Sequence, residues 1–252
     1  MVKLLELADY SNRTLEIARY HDYCPNGLQV AGCDQIRTLI TGVTASERFL
    51  EAAISAGADV ALVHHGYFWK GENPVLVGMK YRRIQRLIDS NVALLAYHLP
   101  LDCHIEFGNN AQLAKRFGFN ITNQHTAGGV DGLLWEGTLT EPEPADQFIA
   151  RVSAALNRDC LAVGCQEHDI KKVAWCSGGG QRFLNDAAIL GADAYISGEI
   201  SEQTTHEANE QGMLYLAAGH HATERYAVQA FGEHLAERFD IVHQHIDIDN
   251  PA

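Results

Sequence analysis

The chain repeats part of itself, and that restricts it to folds that can be assembled from two like halves. Displaced by 134 positions, residues 36–65 align on residues 170–199 without a gap, so that Arg48-Phe49-Leu50 meets Arg182-Phe183-Leu184 and Gly57-Ala58-Asp59 meets Gly191-Ala192-Asp193. Displaced by 122 positions, residues 96–117 align on residues 218–239, which brings His98 onto His220 and Asp102 onto Glu224. In each half, short apolar runs alternate with segments of helical periodicity. This predicts an α/β fold of two similar domains from an internal duplication, each a largely parallel sheet with flanking helices. The division is drawn between residues 1–124 and residues 125–252.

Local signals sharpen the expectation. Strands are predicted at 38–43, 60–63, 92–97, 173–176, 194–196, 213–217 and 241–248, and a turn at Pro25-Asn26-Gly27 leads into another short apolar run. Helices are predicted over 3–20 with an interruption near 9–12, over 46–56 with Ser46 as N-cap, over 81–90, from a cap at Asn109 or Asn110 to Phe117, and over 145–156, 181–190 and 223–239. Residues 122–169 are the least regular, with Glu141-Pro142-Glu143-Pro144 read as a loop.

Composition removes several classes of function. A formal charge of −13 opposes a nonspecific grip on nucleic acid, which needs Lys and Arg to displace counterions. No apolar run approaches the roughly 20 residues of a membrane span, and the N-terminal stretch carries acids where a secretion signal needs apolar residues. Six cysteines without a Cys-x-x-Cys pair read as free thiols of a reducing compartment. The expected location is the cytoplasm.

Chemistry-bearing residues collect just after the apolar runs, where the carboxyl ends of parallel strands gather ligands. His64-His65 follow the run 60–63. Neighbours on a regular strand face opposite ways, so the pair can address adjacent ions only if the backbone turns at the strand end, which Gly66 permits; as a core or capping pair it would need no ion. His220 and Glu224 stand four apart at a helix entry, close enough to share a metal, or equally to form a His–Glu pair at a helix start. His221 competes with His220, but the repeat selects His220 as the partner of His98. Asp102 is a ligand or a turn cap. His98 is a ligand, an orienting residue or the proton carrier of the site, and is assigned here as its acid–base group.

Three imidazoles and two carboxylates exceed what one open catalytic ion takes, and suit two divalent ions with one carboxylate bridging. His64 and His220 would then favour one ion, His65 and Asp102 the other, with Glu224 between. Such mixed ligation suits Fe, Zn, Mn or Co without choosing among them. Ser177-Gly178-Gly179-Gly180 is either a tight turn or a phosphate cradle, and lacks the ending of a P-loop. Glu199, in the repeat position of His65, either faces the same site or is a loop acid.

The chain resembles the YbgI-like family, whose members are labelled GTP cyclohydrolase I type 2 homologues. The resemblance runs nearly end to end through YCPNGLQV at 23–30, TGVTAS at 41–46, VHHGYFWKGE at 63–72, HLPLD at 98–102, GNNAQLA at 108–114, AWCSGGGQ at 174–181, SGEISEQT at 197–204 and AAGHHATER at 217–225. It implies dinuclear metal ligands at His64, His65, Asp102, His220 and Glu224, and two α/β domains per chain assembled into a toroidal hexamer whose metal sites face an inner cavity. The expected function is a metal-dependent hydrolase that uses a metal-bound hydroxide on a small nucleotide-like or cyclic amide substrate. The alternative is a non-enzymatic hexameric scaffold, or a protein-binding module with structural metals.

Overall fold

The computed structural model describes the whole chain, Met1–Ala252. It begins with β1 (Val2–Lys3), α1 (Leu4–Thr14), β2 (Gly27–Val30), β3 (Gln35–Ile36), β4 (Thr38–Thr44), α2 (Glu47–Ser55) and β5 (Val60–His65). There follow α3 (Gly78–Asp89), β6 (Ala93–Ala96), α4 (Leu99–Cys103), α5 (Asn109–Phe117), β7 (Asn120–Ala127), β8 (Val130–Pro144) and α6 (Ala145–Leu156). The remainder is β9 (Leu161–Gly164), β10 (Asp169–Cys176), α7 (Leu184–Ile189), β11 (Ala194–Ser197), α8 (Glu202–Gln211), β12 (Leu214–Ala217), α9 (His220–Phe239) and β13 (Val242–His245). No helix is long and apolar enough to cross a membrane.

The elements form two compact units that are not contiguous in sequence. The first comprises Met1–Leu101 with Ala227–Asp249, and the second Asp102–Tyr226 with Asn250–Ala252. A division at 124/125 is a different partition: it gives residues 102–124 to the first half and 227–249 to the second.

The first unit is built on a five-stranded sheet of order β13-β4-β5-β6-β2, parallel from β13 to β6, with β2 antiparallel at the edge. Helix α2 starts where Ser46 accepts a hydrogen bond from Phe49 N, and stops at Gly57, whose φ of +77° is costly for other residues. Its inward face places Phe49, Leu50 and Ala53 on Ile40, Ala61 and Val63, with Leu87 of α3 beside them. Each fully buried Leu or Phe contributes roughly 1.5–3 kcal/mol.

The second unit is built on a six-stranded sheet of order β7-β8-β10-β11-β12-β9. Its strands β10, β11 and β12 are parallel, while β8 and β9 flank them antiparallel, so this sheet is mixed. Trp135 and Trp175 are fully buried, their ring centroids 6.0 Å apart, and Phe119 and Phe148 complete the cluster under α6.

The two units share a device at the 134-residue offset. The Asp59 carboxylate accepts from Arg37 N and Thr38 N at 2.7 and 2.9 Å, and the Asp193 carboxylate accepts from Lys171 N and Lys172 N at 2.9 and 2.7 Å. Each aspartate fastens the entrance of the first parallel strand to the start of the second. The same chain positions therefore do the same work in both units.

The structure corrects several local expectations. Helix α1 is unbroken at 9–12 and ends at Thr14, because Glu16 takes a left-handed φ of +50° before a short 3-10 turn. Residues 122–169 are not irregular: most of β7 and all of β8, a strand of 15 residues, lie there as a hairpin. Its turn is Gly128-Gly129, with φ of +58° and +79°, the mirror-image turn that hairpins favour. Glu141-Pro142-Glu143-Pro144 ends β8 and pairs with β10 through Glu143 and Pro144 instead of forming a loop. Strand β5 runs on through both histidines, Asp102 sits in the helical turn α4, and α5 is capped by Gly108, with Asn109 and Asn110 inside it.

Candidate metal centre

In the first unit, β5 delivers His64 and His65. Pairing with β6 ends at Val63, while pairing with β4 continues to Thr44 and His65. Held on one side only, the strand end can twist, and the two imidazoles come to a centroid separation of 4.5 Å instead of pointing apart. Gly66 contributes by close approach and not by an unusual φ: a Cβ there would lie 2.2 Å from Gln29 Oε1 and 2.6 Å from Ala96 Cβ.

His64 is completely buried, and its Nδ1 lies 2.9 Å from Tyr97 O. A carbonyl only accepts, so Nδ1 carries the proton and Nε2 the lone pair. His65 Nδ1 meets the Thr44 hydroxyl at 3.2 Å. His98 follows β6, and its centroid stands 5.1 Å from His64 and 5.8 Å from His65. One ligand atom from each of these three imidazoles lies within 4.8 Å of the others.

His98 is anchored from a loop outside the predicted site. Its Nδ1 lies 2.7 Å from Asp22 Oδ1, and its backbone N donates to Asn26 Oδ1 at 2.7 Å. Asp22 Oδ2 accepts from Asn26 Nδ2 and Leu99 N. Burial alone would raise the Asp22 pKa, but the His98 hydrogen bond and charge, with Asn26 and Leu99, hold it below the usual value. Asp22 is therefore an anion that accepts the His98 Nδ1–H and leaves Nε2 as the basic nitrogen. Trp69 stands edge-on to the His98 ring at 5.0 Å.

In the second unit, Asp102 is 4% exposed, and its Oδ1 accepts from Asn109 Nδ2 at 2.9 Å and Ser177 Oγ at 2.8 Å. Asn110 locks the surrounding turn, donating to Asp102 O and accepting from Ser177 N, while its carbonyl accepts from Trp175 Nε1. The asparagines read as helix caps are thus the supports of an acid.

Helix α9 starts at His220, earlier than its apolar periodicity suggests, so His220 and Glu224 share one helical face. His220 Nε2 lies 3.1 Å from Glu224 Oε2, and its Nδ1 lies 2.7 Å from Glu199 Oε1. Burial lowers the His220 pKa, but Glu224 and then Glu199 outweigh it and raise it to about 9. The two carboxylates thus set negative charge on both nitrogens of the His220 ring. His221 instead turns its backbone N–H to Ala252 O.

The Ser177–Gly180 segment is a tight turn. Its backbone donors serve protein acceptors: Ser177 N to Asn110 Oδ1, Gly178 N to Thr223 Oγ1, and Gly180 N to Ser197 Oγ. With those N–H groups committed, it is not a phosphate cradle. Cys176, directly before it, is a core residue whose thiol is pushed up by burial first and by Asp102 and Glu224 next.

The structure thus brings His64, His65 and His98 together in the first unit, and in the second it sets His220 against Glu224 and braces Asp102. Sequence reasoning missed the roles of Asp22, Asn26, Asn109, Asn110 and Ser177. The available signal was a second asparagine at a helix start, where one cap would suffice. The donor set, His nitrogens and carboxylates with fixed tautomers, fits divalent cations.

A family model described as Duf34/NIF3 (NGG1p interacting factor 3) matches residues 2–251. The chain is 52% identical over 252 residues to a Pseudomonas aeruginosa protein called GTP cyclohydrolase 1 type 2 homolog, covering 100% of this chain and 99% of the relative. It is 46% identical to the protein of that name from Escherichia coli K12, covering 100% of both. Among solved structures it superposes on one described as protein ybgI, unknown function, with a TM-score of 0.94, 46% identity and 100% of each chain covered. It also superposes on a Thermus thermophilus protein, TTHA1606, with a TM-score of 0.88 and 30% identity over 100% of both chains.

Proposed function

Because the chain belongs to the Duf34/NIF3 family, we propose that it is a dinuclear metal protein that hydrolyses a small substrate, with His64, His65, Asp102, His220 and Glu224 as its ligands. One observation carries the reading: the ligands His64, fully buried, and His65 offer nitrogens within 4.8 Å of each other and of His98, the acid–base group beside them, in the first unit. Packing alone gives little reason to gather such groups, and a cation gives a strong one.

The protein's own groups have distinct tasks in this reading. Tyr97 O holds His64 in the Nδ1–H tautomer, so Nε2 is its donor atom. Asn109 and Ser177 grip one oxygen of Asp102 and so set the direction in which the carboxylate is presented. Glu224, buried against Gly178, supplies charge that offsets the ions. Bound divalent ions of Fe, Zn, Mn or Co would supply Lewis acidity and lower the pKa of water. His98, with Nδ1–H held by Asp22, accepts a proton at Nε2 and returns it to a leaving group. The name carried by the curated relatives favours a nucleotide-like or cyclic amide substrate. The resemblance of the sequence motifs to the YbgI-like family supports a homo-hexamer, which sedimentation of the purified protein tests, and the six free cysteines suit the cytoplasm.

Elemental analysis of untagged protein, reconstituted with each metal in turn, tests the centre. About two ions per chain are expected, with a sharp loss in Glu224→Ala. Fewer than one ion in the wild type overturns the dinuclear reading. Turnover of a cyclic amide or nucleotide panel that survives Glu224→Ala overturns the metal-dependent hydrolase, and no turnover in the metal-loaded wild type leaves a metal-bearing scaffold.

A further inference from the structure

We propose that Glu199 is a positioning residue whose carboxylate fixes the His220 ring so that Nε2, and not Nδ1, is presented to a divalent cation. The inference rests on the metal reading above but concerns a residue outside its ligand set.

The direction of the hydrogen bond is the first argument. Glu199 Oε1 lies 2.7 Å from His220 Nδ1, and a carboxylate oxygen accepts, so Nδ1 keeps its proton. Nε2 lies 3.1 Å from Glu224 Oε2, so it is the Nε2 proton, and not the Nδ1 proton, that a cation held by Glu224 would displace. Without an acceptor at Nδ1, the ring could rotate or exchange tautomers and offer the wrong nitrogen.

The second argument is that Glu199 is itself held. Gln181 Nε2 donates to its other carboxylate oxygen at 3.1 Å, and the Tyr215 hydroxyl donates to its backbone carbonyl. The side chain is 47% exposed, yet both oxygens have defined partners. That restraint distinguishes it from a loop acid that happens to pass a histidine.

The repeat supplies the third argument. His98 and His220 are equivalent at the 122-residue offset, and each is gripped at Nδ1 by a carboxylate at 2.7 Å. The two carboxylates come from unrelated places: Asp22 lies 76 residues before its histidine and Glu199 lies 21 before. At the 134-residue offset Glu199 stands where the first half has His65. The second half thus uses that position to orient an imidazole where the first half uses it to provide one.

The test is Zn2+ affinity of the full chain, stripped by chelator and titrated against a fluorescent competitor, for wild type, Glu199→Gln and Glu199→Ala. Glu199→Ala should weaken Zn2+ binding about 10–100-fold, and Glu199→Gln, which keeps a neutral acceptor, should lose clearly less. The metal-free thermal midpoint should fall only slightly in either variant, because the Glu199–His220 pair is part-exposed. Nitrogen-detected NMR of the Zn2+-loaded wild type should show His220 with its proton on Nδ1, a signature degraded in Glu199→Ala. Equal Zn2+ affinity in wild type and Glu199→Ala overturns the proposal, as does a loss that merely follows a fall in the metal-free midpoint. A wild type that binds no Zn2+ fails at an earlier step: it overturns the ligand set itself, and the role of Glu199 with it.

Discussion

A methyl group at position 178 would lie 2.0 Å from Glu224 Oε1 and 3.2 Å from His220 Nε2, on a backbone with φ of +59°. Gly178→Ala should therefore displace both groups and lower Zn2+ affinity by about tenfold or more, and cost about 1–2 kcal/mol of stability for the left-handed backbone. Isothermal titration and urea unfolding measure the two effects separately. Asp22 gives a prediction in pH. Its folded pKa lies below its unfolded value of 3.8 despite burial, because His98, Asn26 and Leu99 favour the anion. It thus contributes stability that is present above the unfolded value and lost as pH falls through the folded one. The thermal midpoint of the wild type should fall on acidification through that window, and the fall should be shallower in Asp22→Asn. At this scale the candidate ligands were legible, because His64-His65 and His220-x-x-x-Glu224 are local patterns. Their supports were not. Ser177 reaches Asp102 across 75 positions and Asp22 reaches His98 across 76, and no periodicity relates residues so far apart.

Among the elements, the aspartate clamps offer a paired test. Asp59→Ala and Asp193→Ala each remove an acceptor shared by two backbone N–H groups. Each should cost about 2 kcal/mol, the scale of hydrogen bonds to a charged group. Similar shifts in urea midpoint would express the equivalence of the two positions, and a silent Asp193→Ala would contradict it. The parallel strands were readable from their apolar runs, and helix α2 from Ser46 and Gly57. The β7–β8 hairpin was not. Strand β7 reads Asn-Ile-Thr-Asn-Gln-His-Thr-Ala and exposes five of its eight residues, so it has no apolar face to announce it. Tertiary pairing with β8 makes the strand, and Gly128-Gly129 was its one local signal.

For the whole molecule, binding of divalent ions should stabilise the fold by mass action, on the order of 3 kcal/mol at a hundredfold excess over the dissociation constant. Differential scanning calorimetry with Zn2+ should show a raised midpoint that chelator reverses and that Glu224→Ala lacks. The discontinuous first unit makes a separate prediction. A fragment of residues 1–124 lacks β13, the parallel neighbour of β4, and Phe231, whose ring stands 6.2 Å from Tyr97. It should fail to give a cooperative thermal transition by circular dichroism. The same discontinuity orders the protein's birth on the ribosome. All but three residues of the second unit have been translated once Tyr226 is made, whereas the first must wait for Asp249. At roughly 5–20 residues per second, the strand β4 spends on the order of ten seconds with one edge open before β13 exists to close it. The later-encoded unit is thus the earlier one to have nearly all of its chain, and the nascent N-terminal segment is the part with a sheet edge exposed longest.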